Sequence, residues 1–182
     1  VINDSENNRF LVVWQDERNG NWDVFGQIVT ATGVIYDHND DGYNQYNADN
    51  FGISTASGNQ EYPVLAFASG TSEFLVGWLD SRDTTADIYY QKLEADGDPT
   101  GGNVALGTSI TSTINDLDIA ANTECNNYLI SYRYDNDDFG NSIVGSCIVS
   151  TPVLSWVSGD TDGVSPDSGA AGSTFTFSVN YL

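Results

Sequence analysis

Methionine is absent from this sequence, histidine occurs once, cysteine twice, proline four times, and Lys and Arg together only five times. Five cations against 26 Asp and Glu leave a formal net charge of −21. A field of that sign repels phosphate backbones and anionic lipid surfaces, which argues against nucleic-acid binding and membrane-surface roles. No run of about 18 apolar residues occurs, so no membrane insertion is expected. The single histidine, His38, has no recognisable Ser or Cys partner, and no G-x-S-x-G, H-E-x-x-H, C-x-x-C or phosphate-loop motif is present. Nucleophilic and metallohydrolase chemistry therefore find no template. The two cysteines, Cys125 and Cys147, permit one disulfide in an oxidising compartment and remain two buried thiols otherwise. The chain opens in the middle of a strand pattern, with neither Met nor a basic and apolar leader, and is expected to be a mature or trimmed piece of a longer protein.

What is abundant is Gly, Asn, Asp, Ser and Thr, with aromatic residues at 12% and apolar residues at 40%. Tyr and Trp in a turn-rich, Lys-poor chain point to a secreted β protein, extracellular or at the cell surface. The carboxylate excess makes the compact state repel itself unless cations bind, so a divalent metal is expected from composition alone.

Self-similarity organises the chain. Residues 10 to 27, "FLVVWQDERNGNWDVFGQ", align without gaps to residues 74 to 91, "FLVGWLDSRDTTADIYYQ", at a constant offset of 64. Phe10 matches Phe74, Trp14 matches Trp78, Asp16 and Arg18 match Asp80 and Arg82, Asp23 matches Asp87, and Gln27 matches Gln91. A third, decayed copy occupies 128 to 150, where Tyr132 takes the tryptophan place and Asn136 the arginine place. The spacing from Trp78 to Tyr132 is ten residues shorter than that from Trp14 to Trp78, and the surplus falls on "DHNDDGYNQYNADN", an insertion into the first copy. Each copy parses as short alternating strands separated by turns; in the second these are "YPVLAFAS", "EFLVGWLD", "DIYYQKLE" and "GNVALGT".

The "VVWQDER…WDVFGQ" and "VGWLDSR…ADIYYQ" blocks resemble the V-W-x-D-x-R…D-I-Y-x-Q blades of secreted and cell-surface β-propeller repeat proteins, of the TolB-like and sialidase-like kind. The resemblance implies an all-β fold of four-stranded antiparallel propeller-type blades over residues 1–60, 61–113 and 114–150. About three blades are fewer than the roughly four to eight of a closed ring, so an incomplete ring is expected, with sheet edges or faces left for further blades or neighbouring copies. From Thr151 the pattern changes, and 151–182 resembles the start of an Ig-like surface-protein module: a short β-sandwich-like segment whose last strand, 173 to 182, is a candidate for donation to another subunit.

Asp37, Asn39 and Asp41 at alternate positions, followed by Gly42, open a calcium loop of the D-x-[DN]-x-[DN]-G type. Hard oxygen donors at that spacing converge on one Ca2+ as the chain curls, with the backbone carbonyl of Tyr43 and the Asp49 carboxylate as further ligands. The twelfth place is Ala48 rather than Glu, so the loop departs from an EF-hand, and a hydrated Asn- and Asp-rich turn is the alternative. Weaker acidic clusters contain Asp135 and Asp137, and Asp160 and Asp162. The Asp16/Arg18 and Asp80/Arg82 pairs recur in successive copies, which argues for a role in the fold, because an active site is built once. Trp14 and Trp78 are expected in the core, and Trp22 and Trp156 at the surface or an interface.

These observations point to a non-catalytic extracellular structural protein, a calcium-stabilised repeat unit of a surface layer, filament or adhesin, self-associating or joined to other domains of a longer chain. A propeller module that binds a glycan or a surface partner, and a fragment of a secreted glycosidase or sialidase-like hydrolase, are the alternatives.

Overall fold

The computed structural model describes residues 1–36, 50–83, 86–106, 114–122, 127–136 and 140–149. Within them every regular element is a β-strand. Sheet 1 comprises β1 (Ile2–Asp4), β2 (Arg9–Asp16), β3 (Asp23–Thr30) and β4 (Phe51–Ser54). Sheet 2 comprises β5 (Gln60–Ala68), β6 (Glu73–Asp80), β7 (Asp87–Leu93) and β8 (Pro99–Ala105), and sheet 3 comprises β9 (Ile114–Asn122), β10 (Asn127–Asn136) and β11 (Gly140–Val149). In each sheet the strands pair antiparallel in chain order.

Period-two alternation builds two cores from one strand type. On β6, Phe74, Val76 and Trp78 pack with Leu11, Val24, Ile28 and Ile53 of sheet 1. The intervening Leu75 packs with Ala66, Ala68 and Ile88 of its own sheet and with Ile119, Tyr128, Ile130 and Tyr132 of sheet 3. Sheet 2 is thus apolar on both faces and lies between the other two, face to face. The three sheets do not close on themselves. The approach of sheets 2 and 3 is close enough that a Cβ on Gly77 would sit 2.9 Å from Ile119 Cδ1.

Two local devices recur. The first strand of sheet 2 is bulged between Glu61 and Val64, with Tyr62 at φ 56°, and Asp116 on β9, 54 residues on, has φ 52°. The turns into β2 and β6 place Asn8 and Ser72 in the same left-handed region, at φ 52° and 54°. The linker between sheets 1 and 2 uses Gly58 at φ 76°, where a Cβ would fall 2.5 Å from the Ser81 carbonyl oxygen, so only glycine fits both backbone and space.

The fourth strand of the second copy begins at Pro99, three residues before the "GNVALGT" segment read from sequence, because Leu93 pairs with Pro99 and the Gln91 amide holds the Thr100 carbonyl at 3.1 Å. In sheet 1 the corresponding strand is interrupted. Gln27 Nε2 donates to the Tyr36 carbonyl at 3.0 Å, so Tyr36 takes the place of Thr100; Phe25 and Gly26 pair with Gly52 and Phe51 as Tyr89 and Tyr90 pair with Ala105 and Val104, which puts Asn50 in the place of Asn103. Residues 37–49 enter where β8 carries only Gly101 and Gly102, with Gly101 at φ 75°.

Candidate functional site

The Trp-x-Asp-x-Arg blocks fold into a clasp at the end of each second strand. In sheet 2, Trp78 Nε1 donates to Asp80 Oδ2 at 2.8 Å, the Arg82 amide donates to Oδ1 at 2.9 Å, and the guanidinium holds both oxygens through Nε (2.9 Å) and Nη2 (2.6 Å). Four charge-assisted bonds on a fully buried carboxylate satisfy what burial would otherwise penalise. The guanidinium carbon lies 4.0 Å from the centroid of the Tyr89 ring, and Nη2 reaches Ser54 Oγ and Asn103 Oδ1, both at 3.2 Å. Asp80 and the Phe25/Tyr89 position on the next strand are therefore the anchor and the lid of one arginine.

Sheet 1 repeats the clasp in a wetter setting. Trp14 Nε1 donates to Asp16 Oδ2 at 3.2 Å, the Arg18 amide to Oδ1 at 2.9 Å and Arg18 Nη2 to Oδ2 at 2.5 Å, with the guanidinium 4.1 Å from the Phe25 ring centroid. Arg18 Nη1 donates to Asn50 Oδ1 at 2.6 Å. The Arg18 side chain and its backbone amide hold the Asp16 carboxyl well below the usual carboxylate range, and each arginine is pushed above its ordinary value by its aspartate. Burial raises the Tyr90 and Tyr128 phenols, which makes them poor bases or nucleophiles near neutrality.

Asn50 and Asn103 escaped detection in the sequence because the insertion throws them out of the 64-residue register. Gln27 and Gln91 were visible as a repeated pair, but their task, pinning the return strand through a side-chain amide, has no sequence signature. Asn103 completes the set: its Nδ2 donates to Gln91 Oε1 at 3.0 Å and to the Ile53 carbonyl at 3.2 Å, tying sheet 2 to sheet 1. A second seam lies at the turn after β2. Asn19 and Asn21 donate to the buried Asp23 at 2.6 and 2.9 Å, Asn21 also reaches the Gly58 carbonyl at 2.6 Å, and the Gln60 amide donates to the Trp22 carbonyl at 2.6 Å. Trp22 therefore sits at the junction of sheets 1 and 2.

Asp37, Asn39, Asp41, Tyr43 and Asp49 lie outside the described residues, as do Asp137, Asp160, Asp162, Cys125, His38 and Trp156. What is described is how the inserted segment is mounted: its preceding residue, Tyr36, is held by Gln27, and its following residue, Asn50, by Arg18. Asp135 lies on β10 paired with Asn141. Cys147 is exposed on β11 beside Leu129, which differs from the buried thiol considered from sequence: the outward face of β11 carries it. Trp78 is fully buried, whereas Trp14 is only half-buried, because the sheet that covers Trp78 has no counterpart over Trp14 among the described residues. No group of three or more His, Cys, Asp or Glu arranged to hold a metal is found among the described residues.

Compared with known protein families and curated proteins, the chain matches no family model and no curated sequence.

Proposed function

We propose that this chain is a non-catalytic structural protein of the cell exterior, a unit of propeller-type blades in a surface layer, filament or adhesin, stabilised by calcium at its inserted loop. The recurrence of the clasp carries the reading. The Asp, Arg and Trp side chains that resemble catalytic equipment occur in two successive sheets, bonded to one another in the same Trp–Asp–Arg arrangement. Face-to-face stacking of antiparallel sheets in chain order supports the propeller-type arrangement. The loop sequence with Asp37, Asn39, Asp41, Tyr43 and Asp49 supports calcium, and its mounting on Gln27 and Arg18 holds both of its ends to the rigid sheet.

The test is thermal unfolding in Ca2+ and in EGTA, on the full chain and on a variant with residues 37–49 replaced by Gly-Gly, the length sheet 2 uses. Calcium at about 100 times its dissociation constant adds roughly 2.7 kcal/mol to the full chain and nothing to the variant, which keeps its fold. A full chain indifferent to chelation removes calcium from the reading. Turnover of a fluorogenic glycoside that is lost on substituting a single carboxylate removes the non-catalytic part.

A further inference from the structure

The two ends of the sheet stack are complementary halves of an interface that the chain already builds twice. Sheet 1 turns Phe10, Val12 and Trp14 away from sheet 2. Their counterparts Phe74, Val76 and Trp78 are completely buried beneath sheet 1, whereas Phe10 is 37% exposed and Val12 and Trp14 are half-buried. At the other end, the outward face of sheet 3 carries Leu129, 50% exposed, between its cross-strand neighbours Ala120 and Cys147, both exposed. Leu129 is the counterpart of Leu75, which lies beside Ala66 as Leu129 lies beside Ala120, and in sheet 2 that leucine–alanine face is what sheet 3 packs on. One end therefore presents the face that is covered at each internal junction, and the other end presents the face that does the covering.

We propose that a second copy of this chain docks there, the Phe10–Val12–Trp14 face of one copy on the Leu129 face of the other, and that two copies close head to tail into a ring of six sheets. A second copy is the occupant because both halves of the template junction come from this repeat. The six described sheets of two copies fall in the range of roughly four to eight at which blades close, and the three of one copy do not. Closure of a heterologous contact after two copies pairs both exposed sheet faces. The net charge of −21 on each copy opposes the pairing, so screening strengthens it. The inference rests on the propeller-type structural reading and specifies its assembly.

Light scattering and sedimentation of the full chain, at about 0.15 M and about 1 M salt, should give a concentration-dependent dimer that is stronger at the higher salt. In the reduced chain, maleimide labelling of Cys147, located by peptide mass, should slow at least tenfold in the dimer. Phe10→Glu and Leu129→Glu, both at exposed positions, should each be folded and monomeric, and an equimolar mixture of the two should recover dimers, because one copy's intact Phe10 face meets the other's intact Leu129 face. A wild-type chain that stays monomeric, a dimer indifferent to both substitutions, or a mixture no more dimeric than its parts overturns the proposal. A wild-type monomer leaves the calcium and turnover experiments to judge the underlying reading separately.

Discussion

Phe10, Val12 and Trp14 on β2 are the same side chains, at the same strand positions, as Phe74, Val76 and Trp78 on β6. On β6 all three are fully buried; on β2 they are half-buried or exposed. The clasps follow the same division. Asp80 is fully buried and its arginine 22% exposed, with extra bonds to Ser54 and Asn103, whereas Asp16 is 20% and Arg18 43% exposed, with one bond to Asn50. Strand sequence therefore fixes which side chains share a face, while the neighbouring sheet decides whether that face becomes core. Identical residues carry different energetic weight because they have different neighbours.

That difference can be broken directly, and the largest effect is expected at the tryptophans. Trp78→Ala removes a fully buried indole and leaves Asp80 short of a donor, which should cost about 3–5 kcal/mol in urea unfolding, against a loss of at most half as much for Trp14→Ala. Equal losses at the two sites would show that β2 is covered in solution. Next come the carboxylates. Asp80→Ala leaves the buried Trp78 indole N–H without its acceptor and the half-buried Arg82 guanidinium without its carboxylate, and should destabilise by about 1–3 kcal/mol; Asp16→Ala should lower the unfolding midpoint measurably less. Gly58→Ala tests the seam that makes sheet 1 a cover for sheet 2: a left-handed φ and a backbone clash should cost about 1–3 kcal/mol, read by the same unfolding curves.

The smallest effect is a matter of pH. Arg18 holds the folded-state pKa of Asp16 below its unfolded value. Its contribution is therefore present above about pH 4 and is lost as pH falls through the lower, folded-state value. Wild type and Asp16→Asn should differ modestly in unfolding midpoint near neutrality, and the difference should shrink steadily as pH falls below about 4; a difference that does not shrink with falling pH assigns the effect to shape rather than charge.

The strand periodicity, the turn residues and the gapless repeat made the all-β, antiparallel, four-stranded character of sheets 1 and 2 legible in the sequence, because side-chain alternation and chain reversal are local properties. The pairing of Asp16 with Arg18 and of Asp80 with Arg82 was legible for a related reason: the two residues recur together at one constant offset. The burial difference between Trp14 and Trp78 was not legible, since it depends on a neighbouring sheet and not on the strand. Nor was the insertion point. The surplus in the first copy could be measured from spacing, but its position within the fourth strand follows from Gln27 holding Tyr36 and Arg18 holding Asn50, which are contacts across the sheet. For the proposed calcium ligands, the motif spacing of Asp37, Asn39 and Asp41 remains the whole argument, because those residues lie outside the described ones.

The interruption in that outermost strand has a consequence for how this chain can change. Its two ends are pinned at a separation that three peptide units span in the sister copy, on the order of 10 Å, and both pins are made by side chains of sheet 1 itself. Cargo of almost any length can be spliced there for a closure entropy that grows only with the logarithm of its length, about 0.6 kcal/mol per doubling. The double glycine of β8 marks the same slot unused. A chain with an empty and a filled version of one mounting point can trade loops, natural or grafted, without redesigning the sheets that carry them.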